Sequence, residues 1–214
     1  MGLFRGKTSG PDALSGAPRV SRHSSAWAQL QQYLNAHEGL RLLDIGPTSA
    51  GNINFITNLG HSIYMANLVE DAARPDYLIQ PPEGDQTAKP VYDVERYLRE
   101  NLDFSGRKFD VVTLWDTADY LPEALLQPVI DRIYEVTEPG AQLLALFHAK
   151  TAGDDVAFSR YHLTNTNQLE LQRIGLHPIR HTYTNRQVEN LFKRFASYKF
   201  FLAKDTLREV MVVR

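Results

Sequence analysis

Asp44 and Gly46, Asn67, Trp115 with Asp116, and His148 each follow a short apolar run of this 214-residue chain. Carboxylates, an imidazole, an indole and a carboxamide together form a set able to hold a polar ligand, stack on it and move a proton. If the runs are strands of one open α/β sheet, the side chains after them meet at one edge. There the loops diverge and helix N-termini offer unpaired N–H groups. Tyr120, in the turn after Asp116, and His148 could orient or deprotonate a nucleophile, although a structural role is the plainer reading of both. His61 and Lys108 precede their runs and belong to the opposite edge.

The elements that must position these groups are legible in outline. "LRLLDIG", "SIYMANL", "KFDVVTLWD" and "AQLLALFHA" read as buried strands, "KFDVVTLWD" as the central one. Between them lie helical stripes. Trp27, Leu30 and Leu34 follow a cap at Ser24 or Ser25, Ile53, Ile56 and Leu59 share a face, and Val94, Tyr97, Leu98 and Leu102 share another. A further helix starts at Pro122 and ends at "EPG", and Pro128, lacking an N–H, is expected to kink or divide it. A third strand falls at "DYLIQ" or at "PVY". "YHLTNTNQLELQRI" alternates like a small hairpin or loop. "TNRQVENLFKRF" is a helix capped by Thr184 or Asn185, and "YKFFLAKDTLREVMVVR" holds two closing strands. Residues 1–23, rich in Gly, Ser, Pro and basic side chains, read as a flexible tail, and residues 24–214 as a single domain.

Composition narrows the chemistry. There is no cysteine, which removes disulfides, zinc–thiolate sites and thiol nucleophiles. The histidines show no ligand-like spacing, so no metal site is expected. A net charge of −2 with 43% hydrophobic and 22% charged residues describes an ordinary globular protein and names no partner. Arg180, Arg186, Lys193, Arg194 and Lys199 read as the solvated side of an amphipathic helix, with Val188, Leu191, Phe192 and Phe195 inward, rather than as a nucleic-acid face. No apolar run reaches membrane-spanning length, and the start "MGLFRGKTSG" lacks a signal-peptide core, so the expected location is the cytoplasm.

Three stretches in order, "LLDIGPTSAGN", "KFDVVTLWDTADYLP" and "RIYEVTEPGAQLLALF", resemble the class I S-adenosylmethionine-dependent methyltransferases over residues 40–214. The resemblance implies a doubly wound, Rossmann-like, seven-stranded and mostly parallel sheet ending in an antiparallel C-terminal strand hairpin, with S-adenosylmethionine as cofactor. It implies that Asp44 anchors the methionine ammonium, directly or through water, while Gly46 lets the backbone approach the ligand. The plainer reading is a strand-end Asp capping the next helix. Thr48 and Ala50 stand where the family has its second and third glycines, and Thr48 adds a hydroxyl there. Asn67 occupies the place of the acid that accepts both ribose hydroxyls; a neutral amide accepts one, more weakly by about 1 kcal/mol. Asp93 resembles the acid that meets the adenine amino group, with an ordinary N-cap as the equal alternative. Trp115 would stack on adenine or face the sulfonium, and Asp116 would touch cofactor or substrate.

The implied activity is methyl transfer to a small-molecule acceptor, with Asp116, Tyr120 and His148 as candidate catalytic groups and the N-terminal helix and residues 150–184 as lid and selectivity elements. "WDTADY" is not the Asn/Asp-Pro-Pro-Tyr/Phe signature of amino-group methylation on adenine, cytosine or glutamine. The alternative is a non-catalytic protein of the same fold whose ligand binding is lost or altered, as Thr48, Ala50 and Asn67 suggest. A nicotinamide-dependent oxidoreductase lacks support, since G-x-G-x-x-G is absent.

Overall fold

A computed structural model describes residues 17–81, 89–149, 157–202 and 205–214. Its centre is a six-stranded sheet. β2 (Arg41–Ile45), β3 (Ser62–Ala66), β6 (Phe109–Trp115) and β7 (Thr137–His148) run parallel; β11 (Leu207–Val213) lies antiparallel to β7, and β10 (Ser197–Phe201) antiparallel to β11. The order across the sheet is β10-β11-β7-β6-β2-β3, with β6 in the middle as its unbroken apolar run requires.

Side chains alternate across this sheet with the period of two that a strand imposes. Leu43, Ile45, Val112, Leu114, Leu143, Phe147, Val210 and Val212 enter one core. It is closed by α4 (Val94–Asn101), α6 (Glu123–Glu135) and α7 (Asn185–Leu191), which supply Tyr97, Leu125, Val129, Ile133, Val188 and Leu191. Leu42, Val111, Leu144, Leu146 and Met211 enter the other, against α1 (Ser25–Ala36) and α2 (Ala50–Asn58) with Trp27, Leu30, Leu34 and Ile56. Ser24 caps α1 by accepting the Trp27 N–H at 3.0 Å, and Thr184 caps α7 in a capping box with Gln187.

Among the described residues the main sheet has six strands, against the expected seven. Leu78–Ile79 (β4) and Val91–Tyr92 (β5), the two rival positions for the third strand, pair with each other outside the main sheet. Two residues each are too few to extend β3. Residues 19–23 also correct the expected tail: Arg19–His23 is β1, the edge of a three-stranded antiparallel sheet with β9 (Gln168–Leu176) and β8 (Ala157–His162). What holds so polar a strand is ionic. Arg22 is buried and donates to Asp205 at 2.6 and 3.0 Å, to the Leu207 carbonyl at 2.8 Å and to Glu209, whose other oxygen accepts the Ala26 N–H at 2.8 Å. Residues 1–16 lie outside the described part.

Pro128 does not divide α6, which runs from Glu123 to Glu135. One missing donor is outweighed by the buried stripe Leu125, Leu126, Val129, Ile130 and Ile133. "EPG" lies beyond the helix, inside β7, at an irregularity where the β6–β7 register jumps from Phe109↔Thr137 to Val111↔Gln142. Gly140 takes φ +84° there, and its N–H bonds the Arg214 carbonyl at 2.7 Å.

Candidate active site

The carboxyl ends of β2, β3, β6 and β7 bring Asp44, Gly46, Asn67, Trp115, Asp116 and His148 to one edge, with Tyr120 on the single-turn α5 (Thr117–Tyr120) beside them. Asp44 is almost fully buried, and its carboxylate is already occupied. One oxygen accepts the Thr113 hydroxyl at 2.6 Å and the Trp115 indole N–H at 2.7 Å, and the other accepts the Thr48 hydroxyl. Burial raises the Asp44 pKa above the usual carboxylate range; the hydrogen bonds from Thr113, Thr48, Trp115 and Asn52 oppose it. Ser49, not Asp44, caps α2, so the plainer reading of Asp44 as a cap is set aside.

Trp115 reaches Asp44 because β6 bulges at its end: Thr113 faces Leu144, and Trp115 faces Ala145. Trp115 adopts φ +49°, a backbone conformation costly for a bulky side chain that persists only where surroundings over-determine it. They do so here. The indole stacks on Tyr161 of β8 at 4.8 Å and 4°, and its Cδ1 sits 3.1 Å from where a Cβ on Gly46 would lie. Glycine at position 46 thus makes room for the indole of the same chain.

β8 is fastened over this loop. The Asn52 side chain donates to the Tyr161 carbonyl at 2.8 Å and accepts the Leu163 N–H at 2.9 Å, pairing with the strand as backbone would. Arg160 donates to the Pro47 carbonyl at 3.1 Å, and the His162 ring meets the Ser49 hydroxyl at 3.1 Å. Within the expected lid, β8 is therefore seated on the β2–α2 turn and β9 pairs with it; residues 150–156 lie outside the described part.

A few residues along, the polar groups are less satisfied. Asp116 precedes α5 but makes no capping bond. It is buried, and desolvation, with Asp119 nearby, raises its pKa to about 7 against the opposing charge of His148 and hydrogen bonding to Tyr161. One Asp119 oxygen accepts the His148 backbone N–H at 2.6 Å and lies 2.7 Å from the His148 Nδ1. The other Asp119 oxygen is buried without a partner among the described residues, as are the Tyr120 hydroxyl and the Asn67 Oδ1. Burial lowers the His148 pKa, but the Asp119 bond and the charges of Asp116, Asp119 and Asp205 outweigh it and raise the pKa overall. Tyr120 packs edge-on to His148 at 6.0 Å and to Phe158 at 5.0 Å.

Asp93 takes its plainer role: it caps α4, accepting the Arg96 N–H at 3.1 Å. Asn67 begins α3 (Leu68–Ala72) without making a cap bond. Asp119 and Tyr161 were not among the expected site residues. The i, i+3 spacing of Asp116 and Asp119 on one helical turn was a usable signal for the first; for Tyr161, more than forty residues from Trp115, there was none. Among the described residues, no three His, Asp or Glu side chains are arranged to hold a metal ion, and no helix is long and apolar enough to cross a membrane.

No protein-family model matches the sequence, and no curated protein matches it. Solved structures do resemble it. The CcbJ methyltransferase of Streptomyces caelestis is 14% identical, with 88% of this chain and 93% of that one aligned at a TM-score of 0.50. A SAM-dependent methyltransferase of Methanosarcina mazei is 15% identical over 83% and 93%, at 0.48. Magnesium protoporphyrin IX methyltransferase of Synechocystis, solved with bound SAM, is 12% identical over 88% and 77%, at 0.47. At such identities the likeness is one of architecture, and the fold of this chain is that of the S-adenosylmethionine-dependent methyltransferases.

Proposed function

We propose that the chain is an S-adenosylmethionine-dependent methyltransferase acting on a small-molecule acceptor. The observation that carries this reading is the buried group Asp116, Asp119, His148 and Tyr120 at the carboxyl ends of β6 and β7, where an open α/β sheet holds its ligands. Such groups are costly to bury without a task, and perturbed titration gathers at working sites.

The residues fit the cofactor unevenly. Asn67 Oδ1, buried and without a partner, fits a ribose hydroxyl. Asp44 and Gly46 fit the methionine end only when the Trp115 indole leaves Gly46, because the Asp44 oxygens are otherwise taken. Asp93 is engaged in capping and drops out of the proposed contacts. The cofactor, when bound, supplies an electrophilic sulfonium methyl. The chain's own contribution is to orient the acceptor through Asp116 and Tyr120 and to take its proton. Calorimetric titration with S-adenosylmethionine and S-adenosylhomocysteine tests the reading; silence at millimolar ligand rejects it.

A second reading, a protein of this fold with lost or altered ligand binding, is favoured by the saturated Asp44 carboxylate and the indole lying against Gly46. The two readings differ in whether the indole can move.

A further inference from the structure

We infer that Asp119 is a positioning residue that fixes His148 with its proton on Nδ1, leaving Nε2 as the atom that receives a proton from the methyl acceptor. The role rests on the methyl-transfer reading for its purpose, but the geometry stands by itself. One Asp119 oxygen accepts two donors of His148, the backbone N–H at 2.6 Å and Nδ1 at 2.7 Å, which sets both the place and the rotation of the ring. Asp119 is in turn immobilised. Its backbone carbonyl accepts the Arg180 N–H at 2.7 Å and the His181 N–H at 3.1 Å, and its side chain is fully buried. A carboxylate can only accept, so the imidazole nitrogen facing it carries the hydrogen.

The consequences for the ring follow from charge. Asp119 from α5, Asp116 from the end of β6 and Asp205 from the turn before β11 all act on His148, and Tyr120 packs against it edge-on. His181 in turn acts on Asp119. When Nε2 takes a proton, the acceptor's X–H bond breaks, the Nε2–H bond forms, and the imidazolium is held between carboxylates until the proton passes to water. The hydrogen on Nδ1 stays in place throughout.

Nitrogen-15 NMR of histidine-labelled protein tests this directly. In the unsubstituted chain the His148 signals should show the Nδ1–H tautomer when neutral and a titration midpoint above that of an ordinary histidine. Asp119→Asn should lower that midpoint by roughly one pH unit or more and release the tautomer bias, and Asp119→Glu should restore part of both. An Nε2–H tautomer in the unsubstituted chain, or a midpoint unmoved in Asp119→Asn, overturns the assignment. Should Asp119→Asn fail to fold, the tautomer of the unsubstituted chain still decides. The cofactor titration is a separate measurement: absence of binding alongside the Nδ1–H tautomer rejects methyl transfer and leaves the Asp119–His148 pair standing.

Discussion

The two halves of this sheet edge treat their buried polar groups in opposite ways. Around Asp44 every oxygen has a donor from the same chain, and the indole that supplies one of them fills the space over Gly46. Around Asp116, one Asp119 oxygen and the Tyr120 hydroxyl are buried without partners among the described residues, as is Asn67 Oδ1 across the edge, and burial raises the Asp116 pKa to about 7. Saturated polar groups stabilise a fold, whereas unsaturated ones cost stability and persist where a ligand completes them. Under the methyltransferase reading, the Asp44 half would be closed architecture and the Asp116 half poised chemistry.

The largest expected effect comes from breaking the saturated half. Asp44→Ala strands the Thr113, Trp115 and Thr48 donors in a buried site and should cost about 3–5 kcal/mol, measured by urea unfolding. A loss below about 1 kcal/mol would show that Asp44 is not a structural hub and would erase the contrast. Trp115→Ala comes next. It removes the Tyr161 stack and one Asp44 donor, at about 3 kcal/mol of stability, and uncovers Gly46. Under the methyltransferase reading, S-adenosylhomocysteine should then bind at least as tightly as to the unsubstituted chain by calorimetry. Weaker binding would make the indole itself a ligand contact rather than a cover.

The other half should announce itself through pH. Asp116 binds its proton more tightly folded than unfolded, so its stabilising contribution is complete below its ordinary value of 3.8 and is lost as pH rises to about 7. Asp44, Asp119 and His148, all raised, act in the same direction. Stability should therefore fall by roughly 2 kcal/mol between about pH 5 and about pH 8, and Asp116→Asn should flatten most of that slope. A flat or rising profile in the unsubstituted chain would place Asp116 in a wetter environment than its burial implies.

How much of this was legible depended on the range of the interaction. β6, α1 and α7 could be read from a local pattern: a continuous apolar run, a 3.6-residue stripe, a cap at Ser24 or Thr184. β1 could not, because "RVSRH" has one buried side chain, and it is a charged one whose partners Asp205 and Glu209 lie at the far end of the chain. The edge gathering Asp44, Asn67, Asp116 and His148 followed from strand order alone. What each does there did not: the bulge that turns Trp115 onto Asp44, and β8 laid across the β2–α2 turn, are long-range events with no local signature. Asp93 shows the reverse: its local signal as a cap is met by the Arg96 N–H.

The smallest effect is the sharpest probe of the contrast. Asn67 Oδ1 is buried and has no partner among the described residues, so removing it in Asn67→Ala takes away a group that costs the fold something and makes no hydrogen bond there. Stability should change by less than about 1 kcal/mol, in contrast with the loss at Asp44. Yet if the orphaned oxygen awaits a ribose hydroxyl, S-adenosylhomocysteine affinity should fall roughly fivefold, the worth of one neutral hydrogen bond. Methylthioadenosine, which keeps the ribose and lacks the amino-acid end, should lose by the same factor. A loss confined to the longer ligand would move the Asn67 contact toward the methionine end, and no loss with either would make the orphaned oxygen an unused cost of the strand-to-helix turn.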